Sequence, residues 1–92
     1  MNDTEIDMAI ADACNWSFLG LNRHAVFCTG DNYVGCPTRD LNAMHEAENT
    51  LSDDQLKSYD GWLIAIAGTR ARRATAKERC DAFCLTLGIM KP

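Results

Sequence analysis

The sequence predicts an α+β domain in which a small antiparallel sheet packs with three or four helices. Two capping boxes, Ser52–Gln55 and Thr75–Glu78, each precede apolar residues at helical spacing. Two short strand-like runs lie between residues 16 and 28, and the turn signal 29–32 follows them. With 92 residues, of which 47% are hydrophobic, the chain is expected to form one domain, residues 1–92, around a single core.

The first third of the chain predicts one helix and two strands. The helix is expected from about Thr4 to Cys14, capped by Asp3 or Thr4, with an acidic first turn. A first strand is expected around Trp16, Phe18 and Leu21, and a second over residues 25–28. Residues 20–23 are then expected to form the turn between these strands.

The remainder of the chain predicts three more helices. One is expected from about Asp40 to Asn49, capped by Thr38 or Asp40, with Leu41, Met44, His45 and Glu48 on one face. The next begins at Ser52 and runs to a glycine cap at Gly68. An alternative ends that helix at Asp60–Gly61 and makes Trp62–Ala67 a buried strand, and periodicity does not decide between the two. Residues 69–74 suit a short edge strand with its arginines in solvent. The last helix begins at Thr75 and stops at Gly88.

Charge is distributed unevenly along the chain. The net charge is −4, but residues 1–60 hold 11 acidic and 3 basic residues, whereas residues 61–92 hold 2 and 6. General binding to nucleic acid is not expected from an acidic chain, because duplex affinity depends on neutralising phosphates. No stretch approaches the roughly 20 apolar residues of a membrane span, and the first 12 residues carry acids without a base. We therefore expect a soluble, intracellular protein with no membrane partner.

The cysteines and histidines predict neither a metal site nor a catalytic site. Five cysteines are an odd number, which favours reduced and largely buried thiols over a disulfide framework. A zinc site would have to combine Cys28 and Cys36 with His24 or His45, and their spacing matches no common ligand pattern. His45 is interpreted as structural, although a general base is the alternative. No phosphate-binding loop, dinucleotide fingerprint or nucleophile elbow occurs. We expect no metal, no cofactor and no enzymatic activity.

A basic cluster supplies the candidate ligand site. Arg70, Arg72 and Arg73 lie immediately before Thr75, where the last helix is expected to begin. Helix N-termini attract anions, and arginine adds planar, bidentate recognition of phosphate. These four residues are therefore the predicted site for an anionic ligand such as a nucleotide. The alternatives are a merely solubilising basic edge, surface ion pairs with the acidic first half of the chain, and a contact with an acidic protein.

Three parts of the chain resemble a small phage-encoded family, the phage ABA (α-β-α) sandwich domain. They are the helix end Ala13–Trp16, the block Cys36–Glu48 with Leu51–Gln55, and the segment Ala74–Gly88. The resemblance implies a small sheet between helices and a gene from a phage or prophage. The family has no assigned catalytic residues to transfer. The basic segment 70–73 departs from it, because such proteins are more apolar there.

The resemblance and the arginine cluster together suggest a phage accessory protein in the host cytoplasm. The first hypothesis is an anti-defence factor that sequesters a nucleotide-derived host immune signal without catalysis. A homo-oligomer is expected, because enclosing a small ligand requires several walls. One alternative is a direct inhibitor of a host defence complex, comparable to an anti-CRISPR protein. Another is a phage structural or regulatory module.

Overall fold

Within residues 1–22 and 24–91 the protein forms four α-helices, one 3₁₀ helix and a three-stranded antiparallel sheet, which confirms the predicted α+β class. This architecture is seen in a computed structural model that describes residues 1–22 and 24–91. In chain order the elements are α1 (Asp3–Ala13), β1 (Ser17–Asn22), β2 (His24–Thr29), β3 (Asn32–Gly35), α2 (Leu41–Glu48), α3 (Asp53–Ala67), the 3₁₀ helix (Gly68–Arg73) and α4 (Ala76–Thr86).

The sheet has the order β1-β2-β3, so β1 is an edge strand. Phe18 lies opposite Phe27, with ring centroids 5.8 Å apart, and Leu21 lies opposite Ala25. A bulge interrupts the β1–β2 ladder between Phe18 and Gly20. The turn predicted over residues 20–23 is wrong for its first part, because pairing with β2 keeps β1 extended through Asn22. Its last residue, Arg23, lies outside the described residues.

The core lies where α1, α2, α3 and α4 meet, and a smaller cluster joins α1 to the sheet. Ala25 and Phe27, alternate residues of β2, pack with Ala11 of α1 in that smaller cluster. The main cluster contains Ala74, which precedes α4, and buried residues of all four helices: Ile6, Ile10, Met44, Ala47, Tyr59, Leu63, Ala67, Cys80, Ala82, Phe83 and Cys84. Among residues 1–22 and 24–91, no helix has the length and apolar character needed to cross a membrane.

The first two helices differ from prediction in their caps or faces. Asn2, rather than Asp3 or Thr4, caps α1, because its side chain and Glu5 form a reciprocal capping box. Asp40 caps α2, one of the two expected residues. The four residues predicted to share one face of α2 are not all turned towards the core: Met44 is buried, but Leu41 and His45 are exposed. The helix instead buries the side that carries Ala43 and Ala47, where small side chains permit close packing.

Two capping boxes and one long helix confirm the predictions for the second half of the chain. Ser52 caps α3 and Thr75 caps α4, each in a reciprocal box with the residue three positions later. Helix α3 continues through 62–67, so the alternative of a buried strand is wrong. Its continuation buries Leu63 and Ala67 in the core.

The edge strand predicted over residues 69–74 is also wrong, because this segment forms the 3₁₀ helix. Gly68 has φ 62° and ψ −133°, a conformation that glycine adopts readily, and there the chain leaves α3. Ala74 is buried, and Ala71 packs against the main core cluster. These contacts hold the segment against the helices and away from the sheet.

Candidate anion-binding groove

Arg70 and Thr75, two of the four predicted site residues, meet at Glu78. The carboxylate of Glu78 accepts hydrogen bonds from the backbone N–H of Thr75 at 3.0 Å and from Arg70 Nη2 at 3.0 Å. The hydroxyl of Thr75 in turn accepts from the N–H of Glu78 at 3.1 Å. The Thr75 bond, and after it the Arg70 guanidinium, hold the pKa of the Glu78 carboxyl below its ordinary value. The N-terminus of α4 therefore has an internal anion, and Arg70 is paired with it.

Arg72 and Arg73, the other two predicted residues, are both exposed in the 3₁₀ helix. Neither side chain forms an ion pair with any residue in 1–22 or 24–91. Arg72 lines a surface groove, whereas Arg73 does not. The structure thus separates the four predicted residues: Thr75 caps α4, Arg70 pairs with Glu78 of that cap, and Arg72 and Arg73 present their charge to solvent.

The groove has a volume of about 430 Å³ and lies between α3, the 3₁₀ helix and α4. Leu63, Ile64 and Ala71 supply apolar surface, and three charged side chains accompany them: Asp60, Arg72 and Arg79. We call this surface, defined by those six residues, the arginine groove. Its lining carries two positive charges and one negative charge.

Arg79 connects the arginine groove to the surrounding helices. Its Nη1 donates to Glu48 Oε1 of α2 at 3.3 Å, and its Nε donates to the carbonyl oxygen of Ala74 at 3.2 Å. Its Nη2 donates to the carbonyl oxygen of Arg72 at 3.4 Å. Only 12% of its side chain is exposed. Arg79 therefore holds the backbone of Arg72 in place while contributing charge to the groove.

A buried hydroxyl lies in the same region as Arg79. Tyr59 is 1% exposed, and its hydroxyl has no hydrogen-bond partner among the described residues. Burial, and after it the negative charge of Glu48, raise the pKa of this hydroxyl, while Arg79 opposes the rise. The Tyr59 hydroxyl therefore lies close enough to Glu48 and Arg79 for their charges to affect its pKa.

The thiols follow the expectation of buried, reduced cysteines in three cases. Cys36, Cys80 and Cys84 are buried, while Cys14 and Cys28 are half-buried, and all five are free. Burial raises the pKa of Cys84 to about 11 and that of Cys80 further. The described residues contain no group of three or more His, Cys, Asp or Glu side chains arranged to hold a metal ion.

Sequence reasoning missed the α3 side of the arginine groove. Asp60 and Ile64 are four residues apart, so a helix places them together, next to the predicted apolar stripe. Once α3 is taken to extend through residue 67, this spacing is enough to predict that Asp60 and Ile64 lie on the same side of the helix. What the sequence did not show is that the 3₁₀ helix would bring Arg72 to the same side.

Comparisons with protein-family models, with curated proteins and with solved structures give no match to this chain. The geometry of the arginine groove is therefore the basis for the functional argument.

Proposed function

We propose that this protein binds a small anionic ligand of the nucleotide class in the arginine groove and holds it without chemical change. The observation that supports the proposal is the exposed Arg72 guanidinium, free of ion pairs within the described residues, beside an apolar surface. A volume of about 430 Å³ lies within the range of roughly 300–1,000 Å³ that is typical of small-molecule sites.

The side chains of the groove match the parts of a nucleotide. Arg72 offers a planar fork of donors for a phosphate group, with the partly buried Arg79 adding positive charge. Leu63 and Ile64 offer apolar surface for a base. Asp60 supplies an acceptor for a ribose hydroxyl or an exocyclic amine. The ligand would bind with its phosphate towards the 3₁₀ helix and its base against α3.

The proposed biological role follows from the resemblance to the phage ABA sandwich domain. A non-catalytic binder in a phage-infected host cytoplasm would act by sequestering its ligand, here a nucleotide-derived immune signal. Sequestration requires that the ligand dissociates slowly. An open groove on one subunit encloses the ligand on few sides, which favours rapid dissociation. We therefore also propose that the active form is a homo-oligomer.

The test adds AMP or inorganic pyrophosphate at millimolar concentration to the protein. Binding is followed by NMR through the backbone amide chemical shifts of the protein. Binding is expected to shift the amide signals around Arg72 and Ile64, and AMP is expected to be recovered intact after heat denaturation. Arg72→Ala removes a charge-assisted contact of roughly 1.5–3 kcal/mol, which lowers affinity about tenfold or more. Arg73→Ala is the matched control, because Arg73 does not line the groove, and its affinity should stay within about twofold. Absence of shifts with both probes would contradict the proposal.

A second candidate function is direct inhibition of a host defence protein. It is favoured by Arg72 and Arg73 together, since both are exposed without ion pairs among the described residues and suit an acidic partner surface. The two arginine variants distinguish the functions. A protein partner should be weakened by either substitution, whereas the small ligand should be weakened by Arg72→Ala alone.

A further inference from the structure

The edge strand β1 has one of the features that usually prevent edge strands from pairing, the bulge between Phe18 and Gly20, and lacks three others. Proteins protect such edges with charges, proline, very short strands or bulges. Strand β1 is six residues long and contains neither a charged residue nor proline. It exposes three large apolar side chains: Phe18 at 51%, Leu19 at 55% and Leu21 at 74%. An exposed apolar edge of this kind is a template for another strand.

We propose that β1 pairs antiparallel with β1 of a second copy of this chain, across a two-fold axis between Leu19 and Gly20. The bulge at this point places Phe18 and Leu21, three residues apart, on the same side of the sheet, because they lie opposite Phe27 and Ala25. The axis then sets Phe18 of each copy opposite Leu21 of the other, on that same side.

The centre of β1 also fits a second copy by size. Leu19 is exposed, and apart from its two chain neighbours no described residue has a heavy atom within 4 Å of the position where a Cβ would stand on Gly20. The proposed axis places Leu19 of each copy beside Gly20 of the other copy. At both of these symmetry-related positions, a large side chain packs into the space that a glycine leaves open. Because residues 13–22 carry no charge, the two strands meet without repulsion along this strip.

The opposite edge of the sheet stops further growth. Strand β3 has four residues, and its last two, Val34 and Gly35, are buried. When only one edge of the sheet can accept another strand, pairing gives a closed two-fold dimer with a continuous six-stranded sheet, and not a filament. The acceptor is therefore a single second copy.

Sedimentation velocity tests the proposal, and the mass is expected to rise from 10.2 kDa towards twice that value with increasing concentration. Leu19→Lys is expected to weaken the dimer at least about tenfold, because it brings two ammonium groups near the axis. Met8→Lys adds the same charge at an exposed position of α1 and is expected to leave the dimer unchanged. If Leu19→Lys does not fold by circular dichroism, Leu21→Lys replaces it, since that side chain is the most exposed of the three.

A charge exchange makes the test specific for self-pairing. At a concentration at which the wild-type chain is mainly dimeric, Leu19→Lys and Leu19→Glu should each be mainly monomeric, and an equimolar mixture should form a heterodimer. A wild-type chain that stays monomeric at millimolar concentration would refute the proposal, as would a Leu19→Lys chain that dimerises as tightly as the wild type. The residues involved lie outside the arginine groove, so this dimer adds no wall to the groove, and dimer formation and ligand binding can fail independently.

Discussion

Thr38 donates two hydrogen bonds to the buried carboxylate of Asp7. Its backbone N–H lies 2.8 Å from Oδ1, and its hydroxyl lies 3.1 Å from Oδ2. The Sγ of Cys36 donates a third bond to Oδ2 at 3.1 Å. Asp7 is only 2% exposed, so these donors replace the water that a carboxylate would otherwise bind. The contact joins α1 to the segment between β3 and α2.

Asp7→Asn is expected to destabilise the protein by about 2–3 kcal/mol, because the amide has one acceptor oxygen where the carboxylate has two. If the amide nitrogen takes the place of Oδ2, the Thr38 hydroxyl and the Cys36 thiol, which donate to the carboxylate, have to turn and accept instead. The free energy of unfolding in urea measures the effect. Asp12→Asn, at an exposed position of the same helix, is the control and should change stability by less than about 0.5 kcal/mol. Equal effects of the two substitutions would contradict a structural role for Asp7.

Glu78 should contribute stability at neutral pH that disappears in acid. Its folded pKa is held below the ordinary 4.5 by Thr75 and Arg70, so the unfolded state binds the proton more tightly. The stabilisation is therefore fully present above 4.5 and is lost as the pH falls through the lower folded pKa. Urea unfolding of wild type and Glu78→Gln should show a difference that narrows towards acid. Glu46→Gln, at an exposed position of α2, is the control for the loss of one negative charge. The prediction would be contradicted if the free energy of unfolding differed between wild type and Glu78→Gln by the same amount at every pH.

Tyr59→Phe should leave stability unchanged within about 0.5 kcal/mol or increase it. The hydroxyl is buried without a hydrogen bond among the described residues, so its removal relieves a desolvation cost and breaks no bond. Thermal unfolding measures the change. Tyr33→Phe, where the side chain is exposed, is the control. If Tyr59→Phe lowers the free energy of unfolding by more than about 1 kcal/mol, the prediction is contradicted, and the Tyr59 hydroxyl forms a hydrogen bond with Arg79 in solution.

Native thiol labelling should follow burial. Cys28, half-buried on the sheet, is expected to react first with iodoacetamide, followed by Cys14, whose pKa burial raises. Cys80 and Cys84 should react only after unfolding, because both are fully buried and protonated at neutral pH. Peptide mass spectrometry with and without urea gives the order. Early modification of Cys80 in the native protein would contradict the packing of α4.

The helices were predictable because their signals are local. The capping boxes at Ser52 and Thr75 each join a side chain to a backbone N–H three residues away, and nothing distant is needed to form them. The spacing of Tyr59, Leu63 and Ala67 likewise marks one face of α3, and all three are buried. Short-range hydrogen bonds and a 3.6-residue period therefore determined α3 and α4 from the sequence.

Only the tertiary structure decided the features that depend on distant partners. Alternating Arg and Ala suited a strand, but a strand needs a neighbour for its backbone groups, and Gly68 instead turns the segment 68–73 against the helices. The arginine groove forms because this turn places Arg72 in the same groove as Asp60. No local spacing in the sequence predicts that these two residues line one groove. Asp7 looked like one more acid of α1, yet its donors come from residues 29 and 31 positions away. The sequence determined where α3 and α4 begin and which face α3 buries, while packing between distant segments determined which charges are buried, paired or free to bind.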